Sequence, residues 1–174
     1  MPETIFGLPL HPLIVHATVV LVPLAALTLL VSALVPRFRR WAGVLTPGIA
    51  LVALVLDPLS TSTGENLAGQ IGTTPAIQQH AEYADGLVFW VFGVTALAGI
   101  YWWLDRRAKQ SYERQQPSRK LAVVLAGLTV VAVLGTVVQI VLIGHSGAQA
   151  AWSGVEQAAS HRTAQTTAGN SDAG

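Results

Sequence analysis

Four apolar stretches, each close to the length needed to cross a lipid bilayer, constrain this chain more than any other feature of its sequence. They cover residues 13–35, 42–59, 86–104 and 121–143. The first and the last hold 23 residues each, and at about 1.5 Å per residue such a helix is about 34 Å long. This length exceeds the roughly 30 Å hydrocarbon core of a bilayer. We therefore predict an all-α integral membrane protein, a bundle of four transmembrane helices.

The composition supports a single membrane domain. Hydrophobic residues make up 52% of the 174 residues and charged residues only 11%, against about 25% charged residues in a typical soluble domain. We expect a short N-terminal segment over 1–10, the four-helix domain over 11–148 and a tail over 149–174. Because the tail is rich in Ala, Ser, Thr, Gly and Gln, we expect it to be flexible, and extracytoplasmic.

The basic residues predict the orientation of the bundle. Nine of the ten Lys and Arg residues fall within 37–40 and 106–120, the connections between the first two and the last two spans. Loops rich in Lys and Arg are held on the cytoplasmic side, so both termini should be extracytoplasmic. The second cluster could also bind anionic lipid or nucleic acid. Topology signalling explains its charge better, and we expect no nucleic-acid partner.

The residue inventory narrows the possible chemistry. The chain has no cysteine, which excludes disulfides, thiolate metal sites and cysteine nucleophiles. A metal site must therefore use His, Asp or Glu. The sequence also lacks P-loop, G-x-S-x-G and H-E-x-x-H patterns. We assign no catalytic residue and do not expect an enzyme.

Four of the five histidines fall at the same ends of the predicted helices, and they are His11, His16, His80 and His145. Counting along the helices at 1.5 Å per residue places His16 about 7 Å and Asp57 about 8 Å below the outer surface. Ionisable residues at such depths are functional candidates by default. The same polar layer contains Gln139, Ser60 and Thr61.

A simpler interpretation of Asp57 and His16 remains open. The pair Asp57-Pro58 could end the second helix, so that the carboxylate reaches interfacial water. The ring of His16 would then hydrogen-bond to a neighbouring helix, as polar side chains do in membrane bundles.

His80 and His145 have simpler alternatives too. His80 lies near the start of a helix that we predict to begin at Pro75, and a solvated helix face is favoured there over a ligand role. Gly144 and Gly147 flank His145. These glycines leave room for a cofactor, or they cap the fourth helix.

His11 and Glu65 complete the set of candidates. His11 precedes Pro12 at the start of the first helix, where an imidazole needs no special explanation. Its spacing of five residues from His16 puts the two rings about 140° apart on an ideal helix. Glu65 lies in the polar segment after the second span, from which its carboxylate could ligate a metal or orient a histidine.

Two motifs occur at the histidine-bearing ends of the helices. They are the segment from Phe6 to His16 (FGLPLHPLIVH), followed by the run VVLVPLAA, and the segment from Gly144 to Ala148 (GHSGA). With these motifs the chain resembles the small prokaryotic four-helix membrane proteins catalogued as domain of unknown function 2231, over about residues 6–152. The resemblance implies a four-span protein of a prokaryotic plasma membrane, with His11, His16 and His145 in its signature. It implies no activity.

Two functions compete as explanations of this pattern. The first is a redox or metal-binding module in which His16, His145 and His80 hold a haem b or a transition metal ion. The candidate metal ligands are His11, His16, His80, His145, Asp57 and Glu65. The alternative is a cofactor-free structural or assembly subunit of a larger membrane complex, or a homo-oligomer. Membrane lipid is a partner in both, and an enzyme or proton-coupled carrier using His16 and Asp57 ranks third.

Overall fold

Five helices and one short pair of strands make up the part of the chain that this computed structural model describes, residues 4–5, 8–110 and 118–171. Side chains are described over 11–70, 72–110 and 118–152. The helices are α1 (Leu10–Leu34), α2 (Pro36–Ala42), α3 (Leu45–Ile71), α4 (Pro75–Gln110) and α5 (Arg119–Ser171). Strands β1 (Thr4–Ile5) and β2 (Leu8–Pro9) pair antiparallel ahead of α1, with Thr4 opposite Pro9.

The four long helices form an antiparallel bundle. Within the described residues, α1, α3, α4 and α5 are each long and apolar enough to cross a membrane. Helix α1 packs against α3, α3 against α4 and α4 against α5, while α5 returns to α1. We call the end with the first turns of α1 and α4 the histidine end. The opposite end, with α2 and the first turn of α5, is the basic end.

Large apolar side chains cover the outside of the bundle, and small ones fill much of its inside. Val20 and Phe89 are 64% and 77% exposed, whereas the buried positions include Ala25, Ala26, Ala50, Ala53, Ala98 and Ala132. Small residues let membrane helices approach closely, and a continuous apolar exterior of this extent fits contact with lipid rather than water. The chain is therefore a multi-pass membrane protein.

Hydroxyl groups provide polar contacts between the helices. Thr95 on α4 donates to the carbonyl oxygen of Ala50 on α3 at 3.1 Å, and the hydroxyls of Ser32 and Thr46 lie 3.3 Å apart between α1 and α3. Interhelical hydrogen bonds of this kind are worth about 0.6 kcal/mol each on average in membrane proteins. They help to fix the register of the bundle.

Helix α3 continues through Asp57 and Pro58 to Ile71, so the interpretation that these two residues end the second helix is wrong. Proline removes one backbone donor, but membrane helices tolerate it where neighbouring helices and hydroxyl side chains support the backbone. Here Thr61 donates to the carbonyl oxygen of Pro58 at 3.1 Å. Helix α3 thus begins at Leu45 and runs twelve residues past the predicted span 42–59 at the histidine end, about three turns at 3.6 residues each.

The start of α4 agrees with the sequence. The backbone amide of Ile77 donates to the side-chain oxygen of Thr74 at 3.3 Å, and Pro75 occupies the first helical position. Such a cap satisfies a backbone donor that the first turn leaves without a helical partner. The predicted beginning of this helix at Pro75 is confirmed.

Helix α5 differs from the predicted span 121–143 by its length. It runs for 53 residues to Ser171, about 80 Å at 1.5 Å per residue, and so includes most of the segment expected to be flexible. The alanines and glutamines of that segment favour a helical backbone. The flexibility of residues 149–174 stays a prediction.

Candidate functional site at the histidine end

His11 lies between the first turn of α1 and the last turns of α3. Its Nδ1 is 3.1 Å from the hydroxyl oxygen of Thr63. The same hydroxyl lies 2.9 Å from the carbonyl oxygen of Leu59 and 3.0 Å from that of Ser60. When its single proton is donated to one of these carbonyls, the hydroxyl accepts from His11, and in that tautomer of the neutral ring Nδ1 carries the proton and Nε2 the lone pair.

A glycine makes room for this imidazole. A Cβ atom built on Gly64 would lie 3.0 Å from Cε1 of His11, closer than most carbon–carbon contacts in proteins. Gly64 follows Thr63 directly, so one turn of α3 supplies both the acceptor and the space for the ring.

His80 occupies the corresponding place between α4 and α5. It is half-buried, not on the solvated helix face that the sequence favours. Its Nδ1 lies 3.1 Å from the carbonyl oxygen of Ile143 and 3.2 Å from the hydroxyl oxygen of Ser146. A carbonyl oxygen only accepts, so Nδ1 is the donor here, and in a neutral ring Nε2 carries the lone pair. A Cβ atom on Gly147 would come within 3.1 Å of Cε1 of the ring.

The same two contacts, a hydroxyl group and the glycine that follows it, position His11 and His80. Each ring has its Nδ1 within hydrogen-bond distance of a hydroxyl on the neighbouring helix and packs against the glycine that follows that hydroxyl residue, Thr63-Gly64 for one and Ser146-Gly147 for the other. Helices α1 and α4 lie diagonally across the bundle, and His11 and His80 are close enough to interact electrostatically. Both imidazoles are thus half-buried between helices at the histidine end.

The other predicted ligands are directed elsewhere. His16 is exposed, and its Nδ1 donates to the carbonyl oxygen of Pro12 in the same helix at 2.6 Å. His145 and Glu65 are exposed as well. These three side chains lie on the outer surface of the bundle. His16 and Asp57, predicted at one depth, are not brought together.

Asp57 is the most isolated polar group in the described part of the bundle. Its residue is 2% exposed, and its Oδ2 has no hydrogen-bond partner among the described residues. Asp85 on α4 is close enough to act on it electrostatically. A buried carboxylate without a partner carries a large desolvation cost, which makes Asp57 a candidate for function.

Gln139 closes the polar layer on the α5 side. Its Nε2 donates to the carbonyl oxygen of Tyr83 on α4, and a Cβ atom on Gly86 would lie 2.7 Å from that nitrogen. The side chain therefore joins α4 to α5 one turn or more below His80. As in the two histidine contacts, a glycine on the facing helix accommodates a polar side chain.

Comparison with protein families identifies the chain. A family model described as "Predicted membrane protein (DUF2231)" matches residues 7–158. The chain belongs to this family. The match includes the second histidine motif, all of the first except Phe6, and all four predicted spans, so the resemblance drawn from the motifs is confirmed. Searches of curated proteins and of solved structures gave no significant match.

The six predicted metal ligands of this DUF2231 protein do not form one cluster. No group of three or more His, Cys, Asp or Glu side chains that could hold a metal ion occurs among the described residues. Of the six, His11 and His80 are the two histidines directed between helices at this end of the DUF2231 protein.

Sequence reasoning missed the hydroxyl residues that fix these two rings. Thr63 and Ser146 are buried at the histidine end. A signal was present, since each is followed directly by glycine and the buried Thr129, Thr136 and Ser146 fall on one side of α5. A projection of the polar residues of each helix would have placed them inside the DUF2231 bundle, with His16 and His145 outside.

Proposed function

We propose that the protein is a membrane redox module that holds one haem b between the Nε2 atoms of His11 and His80. One observation carries the proposal, namely that both Nδ1 atoms lie within hydrogen-bond distance of an oxygen on a neighbouring helix. A ligating histidine typically donates its other ring N–H in this way, which fixes the tautomer and the orientation of the ring. Both Nε2 atoms are then available to bind iron.

The number of donors favours haem over a bare metal ion. Structural and catalytic ions such as zinc take three or four protein ligands, and the described residues offer no such group. Haem iron needs only the two axial positions, because the porphyrin supplies the rest. Bound haem would supply one-electron transfer. The chain itself would hold the two rings in register through Thr63, Ser146 and the adjoining glycines.

Asp57 has a natural role in this arrangement. Its buried Oδ2 lacks a partner among the described residues, and a carboxylate near a cationic centre is stabilised by that charge. An ionised Asp57 would contribute negative charge to the polar layer and would favour a bound cationic group electrostatically, without being a ligand.

The proposal also specifies which end of the bundle is extracytoplasmic. Nine of the ten basic residues lie in the two connections assigned to the basic end, and such loops are retained in the cytoplasm. We therefore place this protein in the plasma membrane of a prokaryotic cell with both termini and the histidine end extracytoplasmic. Electrons would enter or leave on that side.

Purification of the full-length protein from membranes tests the function directly. We expect a haem absorption band that shifts on reduction, and iron and pyridine haemochrome contents near one per chain. A protein with neither haem nor stoichiometric iron, even when haem synthesis is supplemented during expression, would overturn the proposal.

A cofactor-free assembly subunit is the second candidate. The observation that favours it is the same set of contacts, because His11 and His80 also join α1 to α3 and α4 to α5. In that case a colourless protein would co-purify with a larger membrane complex or as a homo-oligomer. His11→Ala and His80→Ala would then lower bundle stability and complex yield together.

A further inference from the structure

We propose that a cleft at the basic end binds the phosphate headgroup of an anionic phospholipid. The cleft lies between α2 and the last turns of α4 and has a volume of about 320 Å³. Four cationic side chains line it, Arg39, Arg40, Arg106 and Lys109. The site is at the opposite end of the bundle from His11 and His80 and does not depend on them.

The positive charge of the cleft favours an anionic ligand. Among the described residues its lining contains one carboxylate, Asp105, whose Oδ2 accepts from Nε of Arg39 at 2.9 Å. Four cations and one carboxylate give these described lining residues a net charge of +3. Basic pockets between membrane helices are suited to acidic lipid headgroups, whose phosphodiester has the size and charge that such a cleft accommodates.

Local structure explains why the arginines of α2 lie at the cleft. Proline at the first position, Pro36, starts the helix directly after α1. Gly43 ends helix α2 with a φ of 53°, a backbone conformation that favours glycine. The chain then enters α3. This seven-residue helix is thus held between two spans, with Arg39 and Arg40 beside α4.

Aromatic and aliphatic side chains next to the cleft favour a lipid over a soluble phosphate. Trp41 on α2 is 77% exposed, and Leu34, Val44 and Leu45 are exposed beside it. Trp102 lines the cleft itself, with the guanidinium of Arg106 5.4 Å from its ring centroid. Tryptophan and basic residues together are typical of the headgroup level of a membrane. Acyl chains would cover the apolar residues while the headgroup occupies the cleft.

Lipid titration of the full-length protein, followed by native mass spectrometry, tests this site. We expect phosphatidylglycerol to be retained in preference to phosphatidylcholine. Removing two cations with Arg40→Gln and Lys109→Gln should weaken the first phosphatidylglycerol by roughly 30-fold, since each basic residue near a lipid surface contributes about a fivefold factor. Both positions are exposed, so the variant should fold, and Arg40→Lys with Lys109→Arg should retain the lipid.

The matched control removes the same charge outside the cleft. Arg119→Gln with Lys120→Gln acts at the start of α5, whose residues do not line the cleft, and we expect lipid retention close to that of the unchanged protein. Equal losses in the two double variants, or equal retention of both lipids, would overturn the site. Displacement of the lipid by millimolar inorganic phosphate would overturn the assignment to a lipid headgroup.

Discussion

His80 on α4 lies against Gly147 on α5, so closely that a Cβ atom at the glycine would be 3.1 Å from the imidazole Cε1. Substitution of this glycine therefore has to displace the ring or separate the helices. We expect Gly147→Ala to lower the free energy of unfolding by about 1–3 kcal/mol, as overpacking of a well-packed contact does.

The control for this substitution is three residues away on the same helix. A Cβ atom on Gly144 would meet nothing within 4 Å, so Gly144→Ala should leave stability unchanged or raise it slightly, because alanine favours a helix. Unfolding in mixed micelles measures both. Equal effects of the two substitutions would contradict the close contact between His80 and α5.

Asp57 yields a prediction of the opposite sign. Because the buried Oδ2 lacks a partner among the described residues, Asp57→Asn replaces a carboxylate with a neutral amide of similar size and lower desolvation cost. The free energy of unfolding of the cofactor-free protein should rise by about 1 kcal/mol. Glu65→Gln, which changes an exposed carboxylate on the same helix, should have no measurable effect. A clear loss of stability in Asp57→Asn would mean that the carboxylate has a partner in the folded protein.

The ion pair between Arg39 and Asp105 gives a third prediction, at the basic end. The pair is 2.9 Å long, its side chains are 23% and 19% exposed, and the guanidinium lies 5.1 Å from the ring centroid of Tyr101. A double-mutant cycle with Arg39→Ala and Asp105→Ala should give a coupling energy of about 1 kcal/mol, the upper end for partly exposed pairs. A coupling energy near zero would show that α2 is not tied to α4.

The absence of cysteine allows a clean test of sidedness. Thr73 lies between α3 and α4, and Gln110 is the last residue of α4. Both are exposed, at opposite ends of the bundle, and each can be replaced by a single cysteine. In intact cells a membrane-impermeant maleimide should label Thr73→Cys, and it should label Gln110→Cys only after permeabilisation. The reverse pattern would invert the proposed topology.

The general architecture could be predicted from the sequence because it depends on length and apolarity. Four helices follow from four long apolar stretches, and the start of α4 follows from the cap at Thr74-Pro75. The end of the second helix could not be predicted in the same way. Proline at position 58 is a strong local signal, but packing on both sides of α3 and its hydroxyl contacts outweigh it.

The sequence predicts which end of the bundle carries the candidate site, but not which residues form it. Depth alone grouped His16 with Asp57, yet depth says nothing about which side of a helix a residue occupies. Five residues of spacing put His11 and His16 on different sides of α1, and the contacts with Thr63 select His11 for the interior. Polar neighbours in the sequence favour a solvated face for His80. Its contacts with Ser146 and Gly147, which lie far away in the sequence, form only when the bundle folds.

The most direct test of the account is the haem content of four alanine variants of the full-length protein, measured by absorption spectroscopy. His11→Ala and His80→Ala each remove an interior imidazole and should each abolish the low-spin bis-histidine spectrum, while His16→Ala and His145→Ala change exposed rings and should leave it intact. Unfolding measurements on each purified variant separate loss of the ligand from loss of the fold. Retention of the spectrum in His11→Ala and His80→Ala, with its loss in His16→Ala or His145→Ala, would contradict the account.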